Sequence, residues 1–302
     1  MTVVDALGRA LETGSPAARV VSLVPSETES VVALAGLERL VGRTEWCEEP
    51  AGTIEVVPTV GGTKNVDRAA VLDLRPDLVL ANQEENRRAD IEKLIEAGLR
   101  VHVSFPRTAA EGVANLERLG VLLGARGDDV IALIEGARLE VATLEAAPPP
   151  ALRAFVPIWR EPWMTLDRRT YGHDVLRLVG AVNVFAERQR RYPLAADLGQ
   201  RAASDPGERD TRYPRVTRQE VEEAAPEVIL LPDEPYRFGP EHVEELGRWD
   251  TPASRTGAIA VVSGKDLFWY GVRQNGALLR LGQALDELRR RGALGGRRAG
   301  RP

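Results

Sequence analysis

The sequence predicts an α/β fold of two related lobes with central, mostly parallel sheets, joined by a single long interlobe helix. Three observations predict it. Short Val/Leu/Ile runs bounded by turn residues alternate with helical patterns along the chain; one helical stretch near the middle ends on three prolines; and a segment of the first half repeats in the second at a constant offset. Alternating strand and helix signals are those of parallel strands linked by helices.

In order, the first half offers strands in VVSLV at 20–24, LVGRT at 40–44, DLVLA at 77–81 and VHVSF at 101–105. The second half offers LRAFVPI at 152–158, VILLP at 228–232 and AIAVVS at 258–263. Between them, GDDVIALIEGARLEVATLEA at 127–146 carries apolar residues at 130, 131, 133, 134, 137, 141 and 144 before PPP at 148–150. That spacing predicts a helix of about 20 residues, about 30 Å long, stopped by proline. A boundary near 150 follows, dividing the chain into an extension at 1–18, a first lobe at 19–125, the bridging helix at 126–148, a second lobe at 149–290 and a basic tail at 291–302.

The repeat supports this division. VDRAAVLDLRPDLVLANQE at 66–84 superposes on VTRQEVEEAAPEVILLPDE at 216–234, with Val66, Arg68, Val71, Pro76, Leu80 and Glu84 matching Val216, Arg218, Val221, Pro226, Leu230 and Glu234. Each copy reads helix, proline, buried strand, acidic loop. A single pair is no solenoid, which needs several short repeats.

Composition sets bounds on function. A chain of 302 residues suits two domains of about 150. No run of about 18 apolar residues is present, so no membrane insertion is expected. The net charge of −5 is spread along the chain, without the basic face that nucleic-acid binding needs. The basic end, RRRGALGGRRAGRP, has the Gly and Arg content of a disordered, solvated tail, with weak contact to an anion or a membrane surface as the lesser reading. Cys47 is the sole cysteine, which rules out an internal disulfide and gives a metal no thiolate pair. The N-terminal residues lack a basic start, an apolar stretch and a lipidation-type cysteine, so the chain as written is expected to be cytoplasmic.

Ligands in open α/β sheets lie beyond the carboxyl ends of the strands. The scarce tryptophans gather in those loops: Trp46 follows the strand at 40–44, Trp159 and Trp163 follow 152–158, and Trp269 with Tyr270 follows 258–263 in DLFWYGVR. Only Trp249 lies elsewhere. One such indole could be a plain packing residue, but four on the expected face favour a flat, partly apolar ligand held between the lobes. Glu84, Glu85, Arg160, Asp233 and Glu234 share the loops, either as ligand contacts at the rim or as a solvated edge.

Catalytic sets are thin. His102, His173 and His242 lie in a strand, a helix starting at Tyr171 and a late polar helix, without metal-ligand spacing. There is no GxSxG, and VGGTKN at 60–65 lacks the phosphate-loop spacing. Glu45, Glu48 and Glu49 around Cys47 should raise its thiol pKa. These residues predict binding without turnover, with no catalytic residue, no metal site and no covalent cofactor.

VVSLVPSETE, VGRTEWCEEP, VGGTKN, RPDLVLA, the long central helix and FVPIWREPWMT followed by YGHDVLRLVGAVNVF together resemble the solute receptors of ABC importers for cobalamin and iron chelates, whose lobes are bridged by one rigid helix. The resemblance covers about residues 19–290. It implies Rossmann-like lobes and a tetrapyrrole or metal-chelate ligand in the cleft, so cobalamin or an iron chelate of the siderophore or heme type is the expected ligand. It further implies that Trp46 is an aromatic touching the ligand, that Trp163 is a second cleft aromatic, and that Trp269 and Arg273 lie in a late loop that closes the cleft.

Two departures stand out. Receptors that deliver cargo to a permease usually carry a glutamate on each lobe, seven residues before the proline at the strand entry; here those positions hold Ala69 and Gln219. Losing these charge-assisted contacts should weaken docking by about 1.5–3 kcal/mol per hydrogen bond, with Asp67 and Glu220 close enough to substitute in part. The second departure is the missing export signal, which a misassigned start would explain, though not Ala69 and Gln219. The leading expectation is therefore a cytoplasmic relative, a carrier, sensor or salvage binder, set against a conventional receptor with a misassigned start. An enzyme acting on a tetrapyrrole or metal-chelate cofactor is the second reading, with Glu84 and Glu85 or Cys47 as its candidates. A module whose aromatic cleft receives a protein segment is the third.

Overall fold

In the computed structural model residues 2–299 are described, with side chains through Gly292. The chain divides into two compact units, the first comprising Met1–Pro106, Ala110–Leu139 and Trp269–Asn275, the second Arg107–Ala109, Glu140–Phe268 and Gly276–Pro302. Neither unit is one continuous stretch of sequence.

The first unit opens with a hairpin of β1 (Thr2–Val4) and β2 (Ala10–Glu12), within the residues set apart above as an extension. Its main sheet contains β3 (Val20–Ser22), β4 (Leu40–Arg43), β7 (Leu78–Asn82) and β8 (Val101–Ser104), all parallel, in the order β4-β3-β7-β8. A small hairpin of β5 (Gly61–Gly62) and β6 (Asn65–Val66) lies before β7. Alternate strand residues enter opposite cores, as the pleat requires. Val20, Leu78 and Leu80 join Leu116, Leu119 and Leu122 of α4 (Ala109–Leu123) and Val31 and Leu34 of α1 (Pro25–Ala35). Val21, Val79 and Ala81 join Val71 of α2 (Arg68–Asp73) and Ile91 and Leu94 of α3 (Arg88–Glu96). With helices on both faces, both faces are dry, so the strands read as unbroken apolar runs. Val3 and Leu11 of the first hairpin also enter this core.

The helix expected at 127–146 is α5 (Asp128–Ala146); its residues up to Leu139 fall in the first unit and the rest in the second.

The second unit repeats the plan. Its sheet of β9 (Leu152–Phe155), β10 (Ala181–Asn183), β11 (Val228–Pro232) and β12 (Ile259–Val262) is parallel throughout, in the order β10-β9-β11-β12. Phe155, Ile229, Leu231 and Ile259 pack with Val221 of α8 (Arg218–Ala224), Leu246 of α9 (Pro240–Leu246), Ala253 of α10 (Pro252–Thr256) and Trp249. Between β9 and α8 come α6 (Tyr171–Leu178) and the short α7 (Leu194–Asp197). After β12, α11 (Gly264–Phe268) and α12 (Gln274–Ala299) close the chain. The tail expected to be disordered from residue 291 is helical backbone as far as Ala299, and its last three residues lie outside the described ones. Arg289 with Asp286 and Arg291 with Glu287 pair at helical spacing there.

Both sheets thus have second, first, third and fourth strand side by side, and the sequence repeat maps α2–β7 onto α8–β11. Each copy has a side-chain N-cap, Asp67 to the Ala70 N–H and Thr217 to the Glu220 N–H. Each also places a non-glycine residue in the left-handed region before its proline, Arg75 and Ala225, both at φ 45°. The correspondence reaches single torsion angles. Among the described residues no helix is long and apolar enough to cross a membrane.

Candidate functional site

In each unit the loops beyond the carboxyl ends of the parallel strands carry the candidate residues, and each unit stands by itself. In the first, Arg43 at the end of β4 is buried and ties down the following loop: its Nε donates to the Ile54 carbonyl (3.1 Å) and its Nη1 to those of Thr44 (3.1 Å) and Cys47 (3.2 Å). On this loop Trp46 is 59% exposed. Its indole Nε1 lies over Gly62 in the β5–β6 hairpin, where a Cβ would come within 3.4 Å of it. A large indole on a pinned loop, facing water, is a ready contact surface for a flat ligand.

Cys47 points the other way. It is buried, with Sγ 3.1 Å from Thr44 Oγ1, and loss of water pushes its thiol pKa up, more than bonds from Thr28 and Thr44 and the Arg43 charge pull it down. The sequence expectation blamed the neighbouring glutamates; burial is the larger cause. In the folded chain its reaction with a soluble disulfide reagent is expected to be at least about 100-fold slower than in the unfolded chain, and equal rates would contradict this burial.

The loop after β7 turns on Asn82, whose Oδ1 accepts from the N–H groups of Glu84 (2.7 Å) and Glu85 (3.2 Å). Asn86 secures it by donating to the carbonyls of Leu23 (3.2 Å) and Thr63 (3.0 Å). Lys64 donates to the Glu84 carbonyl. Glu84 and Glu85 are half-buried, and burial raises the Glu85 pKa against the attraction of Lys64, with Glu84 adding repulsion.

Trp269, Tyr270 and Arg273 reach this unit from late in the chain. Trp269 and Tyr270 are buried. The Tyr270 hydroxyl accepts from Asn82 Nδ2 (2.9 Å) and shares a hydrogen bond with Ser104 Oγ (2.9 Å). Arg273 stacks over Trp269 at 5.6 Å and grips Glu29 of α1 at 3.0 and 2.8 Å, with Glu49 at 3.7 Å. Gly271, at φ 88°, lies so close to α1 that a Cβ would stand 2.2 Å from Ser30 Oγ. That oxygen accepts from the Val272 N–H (3.2 Å). The segment is thereby fixed to α1.

Beneath it runs a buried polar chain that sequence reading passed over. His102 Nε2 donates to Asn115 Oδ1 (2.9 Å), and Asn115 Nδ2 donates to Glu27 Oε1 (2.9 Å). Glu27 Oε2 and His102 Nδ1 are buried without hydrogen-bond partners. Desolvation pushes the Glu27 pKa up to about 7, against bonds from Ser104, Asn115 and Tyr270. Burial likewise holds His102 below its usual range, so it is neutral. No motif marks Glu27, which lies between Ser26 and Thr28 in a polar first turn of α1.

In the second unit, the loop after β9 is closed by hydrogen bonds from the Ile158 N–H to the Met164 carbonyl (2.7 Å) and from the Met164 N–H to the Trp159 carbonyl (3.0 Å). This turn separates the fates of the two tryptophans. Trp159 is 45% exposed and meets Tyr236 edge-on at 5.5 Å. Trp163 is half-buried, stacked on Phe238 at 6.0 Å and edge-on to Trp249 at 5.2 Å, and packs against the core. Arg160 is bidentate to Glu245 (3.0 and 3.2 Å) and also pairs with Glu161, the first of which raises its pKa most. Tyr236, Phe238 and His242 complete an aromatic cluster that the sequence reading missed, because nothing in the sequence links residues 236–242 to Trp159. His242 Nδ1 accepts from the Gly239 N–H (3.0 Å).

Among the described residues no group of three His, Cys, Asp or Glu is placed to hold a metal. What the two units offer chemically is exposed indole surface, Trp46 and Trp159, beside half-buried charges.

A family model described as periplasmic binding protein matches residues 20–264. A vitamin B12-binding protein of Vibrio cholerae serotype O1 is 27% identical over 179 residues, which cover 59% of this chain and 64% of that protein, less than two thirds of its length. A vitamin B12-binding protein of Yersinia pestis is 27% identical over 219 residues, covering 71% and 69%. Among solved structures, the periplasmic vitamin B12 binding protein BtuF of Vibrio cholerae superposes with a TM-score of 0.72 at 22% identity, covering 91% of this chain and 98% of that one. The periplasmic heme-binding protein BhuT in complex with two hemes gives 0.70 at 22% identity, covering 91% and 99%. At these identities the structures show a shared fold.

Proposed function

The chain belongs to the periplasmic binding protein family, and from that premise we propose that it is a solute-binding protein for a corrinoid or an iron chelate such as heme, taken on the exposed indole of Trp46. The observation that carries this reading is the pinned, outward Trp46: Arg43 spends three hydrogen bonds on a loop whose largest side chain is left in water. An indole exposed on a rigid loop loses little entropy on binding, which is the economy of a preformed ligand surface. The relatives named above are binding proteins by description, which supports binding over turnover. The buried Cys47 thiol supports it too.

Calorimetric titration of the purified chain with cyanocobalamin, hemin and a ferric siderophore tests this. At least one should bind saturably, and Trp46→Ala should weaken that ligand by about tenfold or more. Failure of all three to bind sinks the reading.

We also propose that docking to an ABC permease is weak, and that the chain serves as a carrier or sensor. Ala69 on α2 and Gln219 on α8 are exposed and uncharged. Their acidic neighbours are occupied, Asp67 as the α2 cap and Glu220 in the α8 capping box and beside Arg188 (3.4 Å). Ala69→Glu with Gln219→Glu should increase copurification with a permease of the family, and equal recovery of both forms counts against the idea.

A further inference from the structure

Residues 186–215 of the second unit hold seven arginines against five acids. Four of the acids are occupied. Asp197 accepts from Arg188 Nη1 (2.9 Å) and from the N–H groups of Arg191 (2.9 Å) and Arg215 (2.7 Å). Asp210 is held by Arg212, Glu187 by Arg168, and Asp205 by the Gly207 N–H. Glu208 is exposed.

At the centre, two arginines lie against one ring: the guanidinium carbon of Arg190 lies 4.4 Å from the Tyr192 centroid, that of Arg209 4.2 Å. Tyr192 is fixed by its hydroxyl, which donates to the Asp210 carbonyl (2.7 Å). Arg209 spends its donors on the carbonyls of Pro206 (2.8 Å) and Asp205 (2.7 Å). Arg190 is different. Its backbone N–H reaches the Thr211 carbonyl, but among the described residues its guanidinium has no hydrogen bond or ion pair, and its Nε is buried without an acceptor. Arg215 stands close by, its Nη1 on the Tyr213 carbonyl (3.1 Å). Burial first, and then repulsion from Arg190, hold the Arg215 guanidinium below its ordinary range.

Stacking on a ring uses only the face of a guanidinium and leaves its donors in the plane free for a planar or tetrahedral oxyanion. Like charges brought together, with a buried donor left over, are the electrostatic mould of a missing anion. We propose that Arg190 and Arg215, with Tyr192 and Arg209 as their floor, form a binding site for an oxyanion, a phosphate or carboxylate group.

Thermal unfolding of the full chain at constant ionic strength, in chloride, inorganic phosphate or acetate, tests the site. About 10 mM of the preferred anion should raise the transition by a few degrees over chloride, and which of the two acts identifies the group. Arg190→Gln should abolish the shift while leaving circular dichroism unchanged, because its guanidinium makes no hydrogen bond or ion pair in the fold and only lies against the Tyr192 ring. Arg215→Gln is the second variant and should do the same. Arg201→Gln, an exposed arginine of the same stretch, should keep the shift. The proposal is overturned if neither anion shifts the transition, or if Arg190→Gln and Arg215→Gln respond as the parent does. Because the probes are simple anions, that failure would leave the corrinoid and iron-chelate reading untouched.

Discussion

Asp197→Ala is expected to lower the stability of the second unit by about 3 kcal/mol, the cost of leaving buried donors without their acceptor. The Asp197 side chain is fully buried and that of Arg188 only 13% exposed. The carboxylate joins three parts of the long excursion before α8: Arg188, the Arg191 N–H and the Arg215 N–H. Its removal leaves the two backbone donors without their acceptor and the Arg188 guanidinium with only the more distant Glu220 carboxylate (3.4 Å) and carbonyl oxygens. Arg188→Met with Asp197→Ala should cost less than the sum of the two single changes, because both break the same ion pair. Urea unfolding followed by circular dichroism reads both; a single-variant loss below about 1 kcal/mol would refute the assignment.

The second large effect is a pH dependence that originates in Glu27. Its carboxyl titrates near 7 in the folded chain and near 4.5 when unfolded. Between those values the folded state holds a proton that the unfolded state has released, so stability falls as pH rises. The contribution is complete below about 4.5, is lost by about pH 7, and amounts to about 3 kcal/mol at 1.36 kcal/mol per unit. Glu27→Gln keeps an acceptor for Asn115 and removes the titration. The difference in stability between variant and parent should therefore shift by about 3 kcal/mol in the variant's favour between pH 5 and pH 8. A difference independent of pH would show that Glu27 is not the buried acid described here.

Seven strands and the central helix were legible because β3, β7 and β11 are buried on both faces and leave unbroken apolar runs. The hairpins and β10 were not: β1, β2 and β10 have three residues each, and β5 is a pair of glycines, too short for any periodicity. The repeat was visible as matched letters, and it proved to include the left-handed Arg75 and Ala225. At the site, the loops were legible from strand ends, but the direction of each side chain was not. Trp159 and Trp163 occupy one turn, and Trp163 turns inward onto Phe238 and Trp249, partners that no local pattern reveals. Tyr270 stands in the loop after the strand at 258–263 as a candidate ligand contact, and its hydroxyl meets Asn82 and Ser104, partners from distant strands that no local pattern reveals.

The late segment Trp269–Asn275 has a consequence for biosynthesis. It belongs to the first unit yet leaves the ribosome after nearly all of the second has been made. Until then Asn82 and Ser104 have each other but lack the Tyr270 phenol, and Glu29 lacks the Arg273 guanidinium. A nascent chain halted after residue 150 is therefore expected to keep its sheet cores but to hold the loop after β7 less firmly than the finished chain does.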